Sequence, residues 1–139
     1  MSVERQAACA WLAKADHDRR TAIAALEQTP PITDTAAFHV QQAIEKLFKA
    51  FLVSVGEVFE RVHDLEVLCN ACAQHDPVFL ALRTRVAPLT AYAVRFRYPG
   101  PVDPPLDKVQ EAIDVLEEVR QLVNDRLADD SGSRPHPSR

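Results

Sequence analysis

Apolar positions along this chain recur at intervals of three and four residues, the repeat of helices that bury one side, and few stretches suggest strand pairing. Ser2 can cap a first helix that runs to about Gln28, with Ala8, Leu12, Ala15, Ile23 and Leu26 on its buried side and Trp11 at their border. Pro30 and Pro31 end it, and Thr33 or Asp34 is placed to cap a second helix. That helix carries Val40, Ile44, Leu47, Phe48, Phe51 and Val55 on one broad arc and stops near Gly56, a residue suited to a C-terminal cap. Asp64 can cap a third helix holding Leu65, Leu68, Cys72 and Ala73, which ends before Pro77. A fourth helical region begins at Pro77, bends near Pro88 and continues to about Phe96, with Tyr98 to Pro101 closing it. Asp103 followed by Pro104 marks the start of a last helix, whose stripe is Val109, Ile113, Leu116, Val119, Leu122 and Val123. Long helices with short connections predict antiparallel neighbours, hence an all-α, up-and-down four-helix bundle with an additional short helix.

The second helix also has a polar side that solvation alone does not require. Gln41, Gln42, Glu45, Lys46 and Lys49 cluster there. Glu45 precedes Lys49 by four residues, the favourable order for an ion pair on a helix, and both glutamines can donate and accept hydrogen bonds. Such a face suits a protein partner or a nucleotide as well as water.

Composition narrows the class. The chain has 139 residues, 47% of them hydrophobic, enough for one core without disulfides or metals and too few for two ordinary domains. The reading is a helical domain over residues 1–128 and a disordered tail over 129–139, which has nothing to bury. No secretory apolar run opens the chain and none later approaches a membrane span, so a cytoplasmic location without membrane attachment is expected. A net charge of −4 argues against nucleic-acid binding by bulk charge but allows a local basic patch, for which Arg83, Arg85, Arg95 and Arg97 are candidates. The three cysteines read as reduced thiols. Cys69 and Cys72 have a zinc-like spacing with His63 and His75 nearby, yet on a helix they share the face of Leu65 and Leu68 and behave as small hydrophobes. No metal and no cofactor is expected.

FHVQQAIEKLFKAFLVSVG at Phe38–Gly56, RVHDLEVL at Arg61–Leu68 and LTAYAVRFRYPG at Leu89–Gly100 closely resemble, in order, the signature blocks of HEPN domains. These are small helical proteins often encoded beside minimal nucleotidyltransferases. AWLAKADHDRRTAIAAL, from Ala10 to Leu26, resembles that family's first helix. The resemblance implies the same helical bundle, a homodimer, and a separately encoded nucleotidyltransferase as partner.

Catalytically active HEPN ribonucleases resemble one another in an arginine and a histidine separated by four to six residues. Histidine can move a proton near neutral pH, while arginine holds phosphate and stabilises developing negative charge. None of the five histidines here, His17, His39, His63, His75 and His136, follows an arginine at that spacing. The matching region instead reads Arg95-Phe96-Arg97-Tyr98-Pro99. Its guanidinium groups and phenol can hold a phosphate or an acidic partner surface. In some pairs of the family a tyrosine near this region accepts nucleotidyl groups, which makes Tyr98 a candidate. His63 reads as a joint residue beside the Asp64 cap or as a nucleotide contact; Lys46 and Lys49 read as phosphate contacts or as solvated charges. The resulting expectation is a dimeric binding module with a nucleotide or RNA as candidate ligand, in a toxin-antitoxin-like or substrate-binding pair. The alternative is a ribonuclease toxin in which His63 serves Arg95 or Arg97 as proton shuttle.

Overall fold

The computed structural model describes residues 1–95, 99 and 102–129, the side chain of Val94 excepted. All regular elements among them are helical. The first, α1 (Val3–Leu26), starts as expected, with the Ser2 hydroxyl accepting from the Arg5 amide at 3.0 Å. Its buried stripe is narrower than the sequence suggests. Ala8, Ala15, Ala22 and Ala25 are buried, while Leu12, Ile23 and Leu26 lie at its edges. Small side chains on this line let α1 lie close along α2 (Thr33–Ser54), against which it chiefly packs.

The start of α2 departs from expectation. The Ile32 carbonyl accepts the first helical bond, from Ala36 at 3.1 Å, so Thr33 is already inside the helix. No side chain caps it, and Asp34 accepts from the neighbouring Thr35 amide while its charge complements the helix N-terminus. The C-terminus is as expected. Gly56 has φ +88°, its amide donates to Val53 at 3.1 Å, and Glu57 donates to Leu52 at 2.9 Å, the double bond of a Schellman cap. Between these ends α2 is the hub of the molecule: Val40, Ala43, Ile44, Leu47, Phe48, Phe51 and Leu52 are buried, and α1, α3, α5 and α6 all pack on it.

Asp64 caps α3 (Leu65–His75), accepting from Glu66 at 2.9 Å and Val67 at 3.1 Å. Residues 77–95 form shorter pieces than a bent helix would. A 3₁₀ segment (Pro77–Leu82), α4 (Arg83–Val86), a second 3₁₀ segment (Ala87–Ala91) and α5 (Tyr92–Arg95) follow one another. Pro88 has no amide to donate and its ring crowds the preceding turn, so the α pattern cannot run through it. Phe79 fixes this arm to the core, with its ring centroid 4.7 Å from that of Phe51 and 6.2 Å from that of Phe48. The last helix, α6 (Leu106–Asp129), begins later than the Asp103-Pro104 signal indicates. A second proline at 105 disfavours helical geometry at Pro104, and the carbonyl of Pro105 takes the first bonds, from Lys108 and Val109. The helix ends at Asp129; residues 130–139, read from the sequence as tail, lie outside the described residues.

Directions follow from the contacts. Asp18 meets His39 and Lys46 while Trp11 meets Lys49, so α1 and α2 are antiparallel; Arg5 meets Leu127 and Arg19 meets Glu117, so α6 is antiparallel to α1. The helix α3 runs the same way as α2: His63 lies at Glu45, Cys72 at Phe48 and His75 at Phe51. The expected up-and-down alternation is therefore not kept between α2 and α3: residues 57–63 retrace α2 backwards as non-helical chain, so that α3 starts again in the direction of α2. An extended residue advances about 3.3 Å against 1.5 Å in a helix, so a short segment covers several turns.

Candidate functional site

The structure corrects the expectation of an open polar face on α2. Gln41, Glu45 and Lys49 are buried, and they face the returning segment rather than solvent. Lys49 Nζ donates to Glu45 Oε2 at 2.8 Å and to the Glu60 carbonyl at 3.0 Å. Glu45 also accepts from Gln41 Nε2 at 3.2 Å and bonds His63 Nδ1 at 3.0 Å. Gln41 reaches the His63 carbonyl at 3.4 Å and accepts from Gln42 at 2.6 Å. The Trp11 ring closes one side, with Lys49 Nζ 5.4 Å from its centroid. Every buried polar group of this network has a partner, the condition under which it fixes one geometry.

His63 differs from the groups that hold it. Its side chain is 68% exposed while that of Glu45 is 5% exposed, so a buried carboxylate orients an imidazole that a ligand can reach. A histidine bonded through one nitrogen keeps the other for binding or proton transfer.

The second polar group on α2 was only partly legible. Lys46 Nζ lies 2.5 Å from Asp18 Oδ2, and His39 Nδ1 lies 2.7 Å from Asp18 Oδ1. Asp18 is itself buried, between Ala15 and Ala22 on the α1 stripe. A carboxylate interrupting a run of alanines was the signal available in the sequence. Lys46 and Gln42 are half-buried, so neither is simply solvated.

The motif blocks converge. Thr90 Oγ1 accepts from the Leu65 amide at 2.8 Å, joining the His63–Leu65 turn to the arm that ends in α5, and α5 packs on α2. Arg95, exposed, closes α5. Arg97 and Tyr98 lie outside the described residues. Beside α5 runs a groove of about 540 Å³ along α6, lined by Arg85, Pro88, Leu89, Tyr92, Lys108 and Val115 among others. Burial pushes the Tyr92 phenol above its ordinary pKa, against the opposing charges of Lys108 and Arg95. Of the sequence-stated basic patch, Arg85 pairs with Glu118 and Arg83 lies 4.0 Å from Glu66.

Cys69 and Cys72 lie in the core, donating to the carbonyls of Phe79 at 3.2 Å and Phe48 at 3.7 Å. Burial pushes the Cys69 thiol up to about 11 and that of Cys72 still higher. Among the described residues no helix is long and apolar enough to cross a membrane.

No curated protein and no solved structure matches the chain. The family model of the HEPN domain matches residues 8–126, from the buried alanine stripe of α1 to the last turn of α6. Spanning all the blocks that meet around His63, that match shows that the chain belongs to the HEPN domain family.

Proposed function

We propose that this HEPN protein is a binding module, dimeric, which pairs with a separately encoded minimal nucleotidyltransferase in a toxin-antitoxin-like or substrate-binding role. The observation that carries the reading is the fate of the proton-transfer groups. No histidine follows Arg95 or Arg97 at the spacing of the active ribonucleases, and His63, bonded to Glu45, belongs to a different block. A guanidinium stays protonated at all accessible pH and cannot replace it. Arg95, Arg97 and Tyr98 then serve to hold an acidic or phosphorylated surface of the partner or a nucleotide. The dimer contact draws less on the polar face of α2 than the sequence suggests, since only His39, Gln42 and Lys46 of that side keep partial exposure.

The test is association with the nucleotidyltransferase encoded by the neighbouring reading frame, followed by size-exclusion chromatography with light scattering. A dimer that binds this partner, with binding weakened by Arg97→Ala at unchanged helicity, is the expected result. A monomer at tens of micromolar that ignores the partner would refute it.

One observation favours a second reading. The exposed imidazole of His63 on a buried carboxylate is a workable proton shuttle. RNA cleavage by the wild-type chain, abolished by His63→Ala without loss of thermal stability, would make the protein a ribonuclease toxin instead.

A further inference from the structure

Where α1, α2 and α6 come together, a pocket of about 190 Å³ reaches from the surface to the core. Leu12 and Ala15 of α1, Leu47 of α2 and Leu116 of α6 form its apolar part, and Leu47 and Leu116 are themselves core residues. An apolar cavity of about 150 Å³ holds a benzene ring, whereas drug-sized ligands occupy sites of roughly 300 Å³ or more. The pocket therefore has room for one hydrocarbon side chain and its head group, and it is too small for a nucleotide. None of its residues belongs to the network around His63 or to the arginine-tyrosine block.

The rim of the pocket carries both signs of charge. Asp16 and Arg19 stand on its α1 side, Arg120 and Asn124 on its α6 side. Arg19 grips Glu117 twice, from Nε to Oε1 at 2.5 Å and from Nη2 to Oε2 at 3.4 Å. That fork occupies both oxygens of Glu117, and Arg120 is left 3.7 Å from it, beyond hydrogen-bond length. Asp16 gives Oδ2 to Arg20 at 3.1 Å, while the partner of its Oδ1 is Arg19 Nη1 at 3.8 Å. The Asn124 amide is exposed and makes no hydrogen bond among the described residues. A carboxylate oxygen, a guanidinium and an amide that can donate or accept thus surround an apolar hole, each with bonding capacity to spare.

We infer that this pocket binds a free α-amino acid with an apolar side chain. The side chain packs on Leu47 and Leu116, the α-carboxylate meets Arg120 and the Asn124 amide, and the α-ammonium meets Asp16. The mixed rim selects the zwitterion: a plain carboxylic acid would set its charge against Asp16, and a plain amine would set its charge against Arg19 and Arg120. A polar side chain would lose its hydrogen bonds to water on the leucine floor and find none there. The inference goes beyond the binding-module reading and does not rest on it.

The full chain, labelled with nitrogen isotope, is titrated with L-leucine and followed by amide chemical shifts. Saturable shifts centred on residues 12–19 and 116–124 are expected. Isocaproate, which lacks the ammonium, isoamylamine, which lacks the carboxylate, and L-asparagine, which keeps both on a polar side chain of similar shape, should each bind at least about tenfold more weakly. Arg120→Gln should weaken L-leucine about tenfold through loss of a charged donor. Its present contact is the 3.7 Å approach to Glu117, so circular dichroism and thermal unfolding should change little. Asn124→Asp, at an exposed position, sets a like charge beside the bound carboxylate and should weaken binding by a similar factor while leaving the fold intact. Absence of saturable shifts at tens of millimolar L-leucine overturns the inference. So does equal affinity for L-leucine and isocaproate, or L-leucine binding indifferent to both variants. Association with the nucleotidyltransferase, measured separately without amino acid, distinguishes failure here from failure of the binding-module reading.

Discussion

Two polar clusters lie on the same helix and do opposite jobs. Asp18, His39 and Lys46 join α1 to α2, two elements that would pack without them through the alanine stripe. Glu45, Lys49, Gln41 and His63 join α2 to a segment with no regular structure of its own. Exposure separates them further: the side chains of the first are 11–26% exposed, and those of Glu45 and Lys49 are 5% and 3% exposed. A charge at the rim retains water as an alternative partner. A charge in the core does not, and its partner must be supplied by the chain.

The strongest challenge to this comparison is Lys49→Ala. It leaves Glu45 buried without its ammonium partner and the Glu60 carbonyl without its donor, and should lower stability by about 3–5 kcal/mol in chemical denaturation. A loss below about 1 kcal/mol would mean the cluster is wet and the two groups are alike. Replacing both members, as Glu45→Leu with Lys49→Met, should recover much of the loss while releasing His63.

Next in size is Gly56→Ala. No atom lies within 4 Å of the added methyl, so only the backbone at φ +88° opposes it, at about 1–2 kcal/mol. Thermal unfolding measures the change, and the His63 ring resonance in a proton NMR spectrum should move with it. Lys46→Ala is expected to cost about 1 kcal/mol or less, because Asp18 retains His39 and the ammonium removed stands partly in solvent. A loss as large as that of Lys49→Ala would show that both clusters are core devices.

Thiol labelling sharpens the contrast without mutation of the site. Cys9 is exposed whereas Cys72 donates to the Phe48 carbonyl beside Lys49. One thiol should react in the native chain and the others only with unfolding, faster in Lys49→Ala. The stabilising effect of the Cys69 thiol is full below the ordinary value of 9.0 and is lost as pH rises through about 11.

The sequence showed the existence of the polar arc on α2 and the caps at Ser2, Gly56 and Asp64, because period and side-chain chemistry are local properties. It did not show where the arc points. Its partners are main-chain carbonyls at Glu60 and His63, which any sequence presents, and only the course of the chain brings them near. The same limit explains the helix starts: Thr33 and Asp103 carry suitable side chains, but Ile32 and the Pro104-Pro105 pair decide which carbonyl is first in helical position. Asp18 is the reverse case, a residue whose misfit on an alanine face was visible and whose partners were not.

The backward path of residues 57–63 has a consequence for how this family member can vary. Its ends are pinned, by the glycine turn at one side and by the bonds of Gln41 and Glu45 to His63 at the other. The segment therefore acts as a ruler. An added residue can bulge into solvent at little expense in loop entropy, whereas a deletion must draw His63 toward Gly56 and off its carboxylate. Chain length between two helices, rather than the identity of the residues there, determines whether the imidazole stands on its support.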